Sequence, residues 1–514
     1  MESDAGDLLE SLGRHADLGH EKRNEAFVRQ VMLACEAAGG PVSLAGREGG
    51  RTPWADLLSL YRFVDNGQVA LPDLRAARAA AIMERLPSGS DVMVVHDVSL
   101  MDYSRHNAKE DRRPIGDGRG RGYEYVPCLA VDPLGGTVLG ALHDTLVDQT
   151  GPDDADTMRY DDDPLFADFS AEEAARLRRN HRHQMGVHIR GLAPLLSRHQ
   201  AIHVADREFD DIFILLRART ENADFVIRST ALRNVQVPDA PWLPAEARTR
   251  RQGGHPAPPG WVHARLDRLA RAVPLQPYKA LPLDAAGRVT DASCARRVAH
   301  LSIGACCIRL YRPAKRNKKY YPTPAPVEVH LVVIRELQPP PGETPLCWVL
   351  LTSLPVDTPE QLARVGRIYE LRWRVENFFR LLKEGYKIER SKLDSAPKIA
   401  RLLVILSVAA TILLNVKEKL GLPAQGPLPA EQHQHLKHAI REPNNPDIEI
   451  TWRLLGLVAR LGGWLERRRD PLGPALLMRG LLRFVAILDA AETCAPLIAE
   501  ARQNPHVLRR LFCV

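Results

Sequence analysis

Two short apolar runs that each stop at an aspartate constrain this chain more than any other feature. Val92-Met-Val-Val runs into His96-Asp97, and Ala201-Ile-His-Val-Ala runs into Asp206. Apolar runs of this kind read as strands buried on both faces, as in a parallel sheet covered by helices. Each delivers a carboxylate at its C-terminal end, and side by side the two strands put both carboxylates at one sheet edge. Further strands are read in Tyr125–Val131, Val138–Leu142 and Phe225–Ile227, with Trp348-Val-Leu-Leu returning to the same core. The fold class is α/β, built on a mixed five-stranded sheet with helices.

A third carboxylate comes from a helix. Asp357-Thr-Pro-Glu starts it, with Pro just inside the N-terminus, and the pattern predicts a helix to about residue 390. Relative to Tyr369, at 100° per residue, Arg372 falls near about 300°, Glu376 near about 340° and Lys383 near about 320°. One arc about 60° wide thus presents a carboxylate among cations, while Ile368, Leu371, Val375, Phe378 and Leu382 fill the adjoining arc. A solvated, salt-bridged helix face has the same Arg–Glu spacing. Asp97 and Asp206 favour another use: a helix across their sheet edge adds Glu376. Three carboxylates there can hold two Mg²⁺ ions about 3.5–4 Å apart. Magnesium takes oxygen ligands and keeps waters, which suits attack on phosphate.

Composition sets the frame. At roughly 150 residues per domain, 514 residues suggest about three domains. A hydrophobic share of 45% and a charged share of 26% exclude a disordered chain, a collagen and a small disulfide scaffold. Net charge is +7, from 70 basic and 63 acidic residues, which favours polyanionic partners. The eight cysteines include no C-x-x-C pair, which argues against a structural zinc site and fits a reducing compartment. The N-terminus is acidic and lacks an apolar core, so no signal peptide is expected. The longest apolar run, Leu402 to Leu414, is shorter than the about 20 residues a membrane span needs, so a buried helix and a cytoplasmic, membrane-free protein are expected.

Pattern and composition divide the chain into five stretches. Residues 1–85 read as helical, and 86–229 carry the first strands and a long helix over 170–197. Residues 230–345, rich in Pro and Gly, read as a β-rich insertion with strands at Val298–Leu310 and Val327–Val333. Residues 346–395 return to the core with the Glu376 helix, and 396–514 read as all-helical.

Two basic stretches are candidates for DNA-backbone contact, which positions without specifying sequence. One holds Arg312, Lys315, Arg316, Lys318 and Lys319 between Tyr311 and Tyr320-Tyr321; the other runs from Arg105 to Arg121. A charged, solvated loop is the alternative for both. His181, His183 and His188 lack a Cys or carboxylate spaced to complete a metal cluster, so a basic helix face is expected there, and Asp161–Asp163 reads as a loop.

On these residues the chain resembles the cut-and-paste DDE transposases of bacterial insertion sequences, in the subgroup with the signature Y-x2-R-x3-E-x6-K. Tyr369, Arg372, Glu376 and Lys383 match that signature in full. The chain is similar to the transposase of the kanamycin-resistance composite transposon. The resemblance runs from Tyr61-Arg-Phe-Val through His96-Asp97-Val-Ser, Ala205-Asp206-Arg-Glu and Pro341-Gly-Glu-Thr-Pro-Leu-Cys-Trp-Val-Leu-Leu-Thr-Ser to Ala459-Arg-Leu-Gly-Gly-Trp464.

The resemblance implies an RNase H-like catalytic core interrupted by the β-rich insertion. Its flanks would be a helical end-binding domain over 1–85 and a helical dimerisation domain over 396–514. It implies Asp97, Asp206 and Glu376 as catalytic and metal-binding residues for two Mg²⁺ ions, with Mn²⁺ as a substitute. Tyr369, Arg372, Arg380 and Lys383 become contacts to the DNA end, with Arg105, Lys318 and Lys319 beside them, and Trp348 the indole that stacks a flipped base. The partners implied are double-stranded DNA, as transposon ends and target, and a second copy of the chain when two ends are paired. The activity implied is end cleavage through a hairpin intermediate and transfer of the 3′ ends, in the bacterial cytoplasm at the nucleoid. The alternatives are an RNase H-like nuclease without strand transfer and a domesticated DNA-binding regulator or transposition inhibitor. Arg380 stands where a second lysine is common, and Asp65 follows the Tyr61-Arg-Phe element. The N-terminal stretch diverges most, so end specificity does not carry over.

Overall fold

The computed structural model describes residues 3–37, 54–151, 181–230, 233–249, 256–284, 295–311, 326–419 and 450–461, with a few single positions besides. In chain order the first strands are β1 (Asp91–His96), β2 (Ser99–Asp102), β3 (Arg113–Ile115), β4 (Gly120–Val131) and β5 (Val138–Val147). β6 (Gln200–Ala205) and β7 (Asp224–Arg228) follow. Then come β8 (Asn234–Pro238), β9 (Trp261–Arg265), β10 (Gln276–Leu283), β11 (Arg297–Leu310), β12 (Val327–Glu336) and β13 (Cys347–Thr352).

The five strands expected from the sequence stand side by side as β5-β4-β1-β6-β7. β1 pairs antiparallel with β4 and parallel with β6, and β6 pairs parallel with β7. The sheet does not end there. β13 lies antiparallel on β7 and continues through β12, β11, β8 and β9. The β-rich stretch therefore extends the same sheet, and β7 keeps no open edge that would template further pairing. It also contains a short helix between β9 and β10, at Leu266–Ala272, which the Pro- and Gly-rich composition did not suggest.

Strand alternation sorts the side chains onto two faces. Met93, Val95, Leu129, Val131, Ile202 and Val204 join one apolar core. Val92, Val94, Cys128, Ala130 and Ala201 join another, across the sheet. The helices are α1 (Ser3–His15), α2 (Glu21–Ala37), α3 (Trp54–Asp65), α4 (Leu71–Glu84), α5 (His181–Leu192), α6 (Ile212–Thr220), α7 (Leu266–Ala272), α8 (Pro359–Leu371), α9 (Arg374–Arg380), α10 (Ala396–Lys419) and α11 (Ile450–Leu461). α10 is the core helix of the first face. Ala396–Asn415 is long and apolar enough to cross a membrane, but 83% of its most apolar window is buried inside the protein. The α1, α2 and α4 helices pack on α10, and one core runs from Leu8 and Phe27 to Leu413. That packing encloses an ionic knot: Asp144 of β5 accepts from Arg75 Nε and Arg78 Nη1 of α4, both at 2.7 Å, and from Tyr125 Oη at 3.0 Å. Arg78 also donates to Ser407 Oγ of α10 at 2.8 Å.

The expected helices over 170–197 and 396–514 are described only as α5, α10 and α11, and Asp161–Asp163 lies outside the described residues.

Candidate active site

β1 and β6 are parallel neighbours in a register that pairs His96 with Ala205. Asp97 and Asp206 are the next residues, so both carboxylates leave adjacent strands at the same level of the sheet. Each is pinned by local backbone. Asp97 Oδ1 accepts from Val98 N at 2.8 Å. Asp206 caps the helical turn Arg207–Phe209, accepting from Glu208 N at 2.7 Å. An aspartate in this capping position has little rotational freedom left.

The helical segment that brings the third carboxylate starts as expected. Thr358 and Gln361 form a reciprocal capping box, and Pro359 occupies the first turn. Its course then differs from one continuous helix to about residue 390. α8 stops at Leu371, and the amides of Arg372, Trp373, Val375 and Glu376 bond three residues back instead of four. After α9 the chain widens into a π-turn at Leu381–Gly385, closed by Tyr386 N to Leu381 O at 2.8 Å. Tightening and widening break the assumption of about 100° per residue, so the single arc does not hold across its length.

Arg372 and Glu376 reach the aspartates; Lys383 turns elsewhere. Arg372 Nη1 donates to Asp97 Oδ2 at 2.8 Å, and its Nη2 stands 3.4 Å from Glu376 Oε1. Lys383 Nζ donates at 2.5 Å to the Leu100 carbonyl on β2, and lies 3.4 Å from Glu389. Tyr369 is buried, its ring edge-on to Trp348 with centroids 5.2 Å apart. Trp348 is only 3% exposed, so here the indole packs in the core, and stacking a base would require uncovering it. Arg380 Nη1 stands 3.4 Å from Asn377 Oδ1. Arg105 is exposed on the turn after β2, whereas Lys109 and Arg112 of the same basic stretch donate to the carbonyls of Ser391 and Tyr103. Lys318 and Lys319 lie outside the described residues. Asp65 pairs with Lys398 of α10 at 2.5 Å.

The electrostatics are those of crowded acids relieved by one cation. Burial pushes the Asp97 carboxyl up to about 6 against the pull of Arg372, and the negative charges of Asp206 and Glu376 add to the rise. Burial alone would lower the Arg372 guanidinium, but Tyr369, Asp97, Glu376 and Asp206 hold it above its ordinary value. Glu376 keeps 39% of its side chain exposed, so the cluster opens to solvent on the helix side. The donor set is all carboxylate oxygen, two at strand ends and one on a helix, which fits a hard divalent cation such as Mg²⁺ or Mn²⁺.

Sequence reasoning missed several partners. Glu389 holds Lys383 and accepts from the Asp102 amide at 2.9 Å, and Arg228 on β7 bonds to Tyr369. No spacing signal marks either, because the contacts join distant segments.

Fold and site together define an α/β protein with a carboxylate cluster at the C-terminal ends of adjacent parallel strands. Residues 178–413 match the family described as Transposase DDE domain, which supports a DDE-type transposase. The matched span contains Asp206 and Glu376; Asp97 precedes it in sequence, and the charges of both raise its carboxyl.

Proposed function

We propose that this chain is a cut-and-paste DNA transposase with an RNase H-like core. It binds transposon ends in double-stranded DNA, cleaves them through a hairpin intermediate and joins the 3′ ends to target DNA. The observation that carries this reading is the level register of Asp97 and Asp206 on adjacent parallel strands, with Glu376 joined to Asp97 through Arg372. Asp97, Asp206 and Glu376 would hold two divalent ions, which when bound supply charge neutralisation and activation of the attacking oxygen.

The protein's own residues then position the polyanion. Arg372 keeps the acids from repelling one another before DNA arrives and offers its planar fork to a phosphate when it does. Exposed Arg105 sits on the segment that follows Asp97, and Lys383 bonds to the same segment through Leu100, where a DNA end beside that carboxylate would run. Two ends would be paired by a homodimer, with residues 1–85 reading the ends and 396–514 serving dimerisation, in the bacterial cytoplasm at the nucleoid.

The test uses a donor plasmid carrying the DNA that natively flanks this gene, incubated with purified protein and Mg²⁺ beside Glu376→Ala. Hairpin and excised linear products that vanish in the variant are expected on a denaturing gel. Cleavage without joined products would favour a nuclease, and binding without cleavage a regulator.

A further inference from the structure

We propose that His96, Cys128 and His188 form a site for a thiophilic first-row transition-metal ion of the zinc class, on the sheet face opposite the carboxylates. The sheet itself assembles it. β1 pairs His96 with Cys128 of β4, and β4 pairs Cys128 with His143 of β5, so three ligand-type side chains form one row across three strands. The α5 helix lays His188 over that row. Ligand atoms of His96, Cys128 and His188 lie within 4.8 Å of one another, and all three residues are buried.

The chemistry is distinct from that of the acids. A thiolate with two imidazoles suits a borderline-soft ion and disfavours Mg²⁺. Cys128 Sγ and His96 Nδ1 are 3.8 Å apart. With Zn–S about 2.3 Å and Zn–N about 2.0 Å, a tetrahedral ion would span about 3.5 Å between those atoms. Any span near the 4.8 Å limit would have to shorten by about 1 Å to reach the same geometry.

Outer contacts are in place as well. His96 Nε2 lies 2.8 Å from His203 Nδ1, and His188 Nε2 lies 2.7 Å from Thr145 Oγ1. Partners of this kind set the tautomer and ring orientation of metal-binding histidines. His203 in turn lines a cavity of about 390 Å³ with His199 and Arg198, at the opposite end of β6 from Asp206. A bound ion would clamp β1 to β4 and α5 one residue before Asp97.

The experiment uses full-length protein with Co²⁺ as the probe, in excess Mg²⁺ to occupy the carboxylates. One equivalent of Co²⁺ showing a sulfur-to-cobalt charge-transfer band is expected, displaced by Zn²⁺, lost in Cys128→Ser and His188→Gln, and kept in Asp97→Asn. No band, or a band kept in Cys128→Ser, overturns the proposal. If the Cys128 variant does not fold, cobalt-edge X-ray absorption on the wild-type chain decides. One sulfur and two imidazole nitrogens are expected, and an all-oxygen shell overturns the proposal.

Discussion

Arg372 donates to Asp97 across 2.8 Å from the cap of α8, in the place where a divalent cation would otherwise balance that carboxylate. The same guanidinium stands 3.4 Å from Glu376. On the proposed function, Arg372 would therefore both compete with metal and donate to phosphate. Arg372→Ala is expected to lower DNA cleavage by about 10²–10³-fold, the usual loss for one preorganised charged donor. Mn²⁺ binding should tighten in the same variant, by about 1 kcal/mol or more, because a positive charge beside the acids is gone. Removing the cation also raises the Asp97 carboxyl further above about 6, so calorimetric titration belongs at alkaline pH, repeated at two pH values to separate proton uptake from Mn²⁺ binding. Weaker Mn²⁺ binding there would show that Arg372 organises the acids and does not compete for them.

The buried histidines make the fold sensitive to mild acid. Burial lowers His203 from 6.5 to about 3, and it lowers His96 as well. A folded pKa below the unfolded one means that the unfolded chain takes up the proton first. Stability is thus present above pH 6.5 and falls as pH drops toward about 3. His203 alone should cost about 2 kcal/mol between pH 7 and pH 5. Asp97, with its raised pKa, acts in the opposite direction over part of that window, so the informative quantity is a difference. Urea midpoints at the two pH values should converge in His203→Asn relative to wild type. An unchanged pH slope in the variant would refute the assignment.

Asp144 links three elements far apart in sequence: α4 through Arg75 and Arg78, β4 through Tyr125, and α10 through the Arg78–Ser407 bond. Two guanidinium charges hold its carboxyl well below the usual range despite burial. Asp144→Asn leaves two buried cations short of their anion, which is expected to cost about 3–5 kcal/mol. Chemical denaturation measures this. A loss under about 1 kcal/mol would mean that water or a rearranged side chain supplies the missing balance.

What was legible in the sequence was local. Val92–Val95 and Ala201–Ala205 announced buried strands through their own residues, and the strand ends placed Asp97 and Asp206 without further information. Asp357-Thr-Pro-Glu, with Pro359 in the first turn, likewise marked the start of α8. What stayed hidden came from long-range pairing or from departures from ideal helix geometry. Lys383 was assigned to the acids because a uniform helix puts it there; the π-turn instead sends it to Leu100. His188 looked like part of a basic helix face, since its neighbours in space, Cys128 and His96, belong to strands read separately.

Gly122 connects the β2 backbone to that displaced lysine. A Cβ at this position would sit 1.9 Å from the Met101 carbonyl oxygen, and backbone cannot yield as a side-chain tip can. Gly122 pairs with Asp102 and its neighbour Tyr123 with Met101, so relief would push β2 off β4. Leu100, whose carbonyl holds Lys383, rides on the same short strand. Gly122→Ala is therefore expected to lose about 1–3 kcal/mol of stability through overpacking. It should also weaken DNA cleavage at temperatures where the chain is still fully folded. Gly67→Ala is the control: nothing lies within 4 Å of its Cβ position, and the change should stay within about 0.5 kcal/mol. Denaturation of both variants, followed by cleavage assays well below their midpoints, separates lost stability from a displaced lysine. Full activity in Gly122→Ala under those conditions would show that cleavage does not depend on the seat of Lys383 on β2.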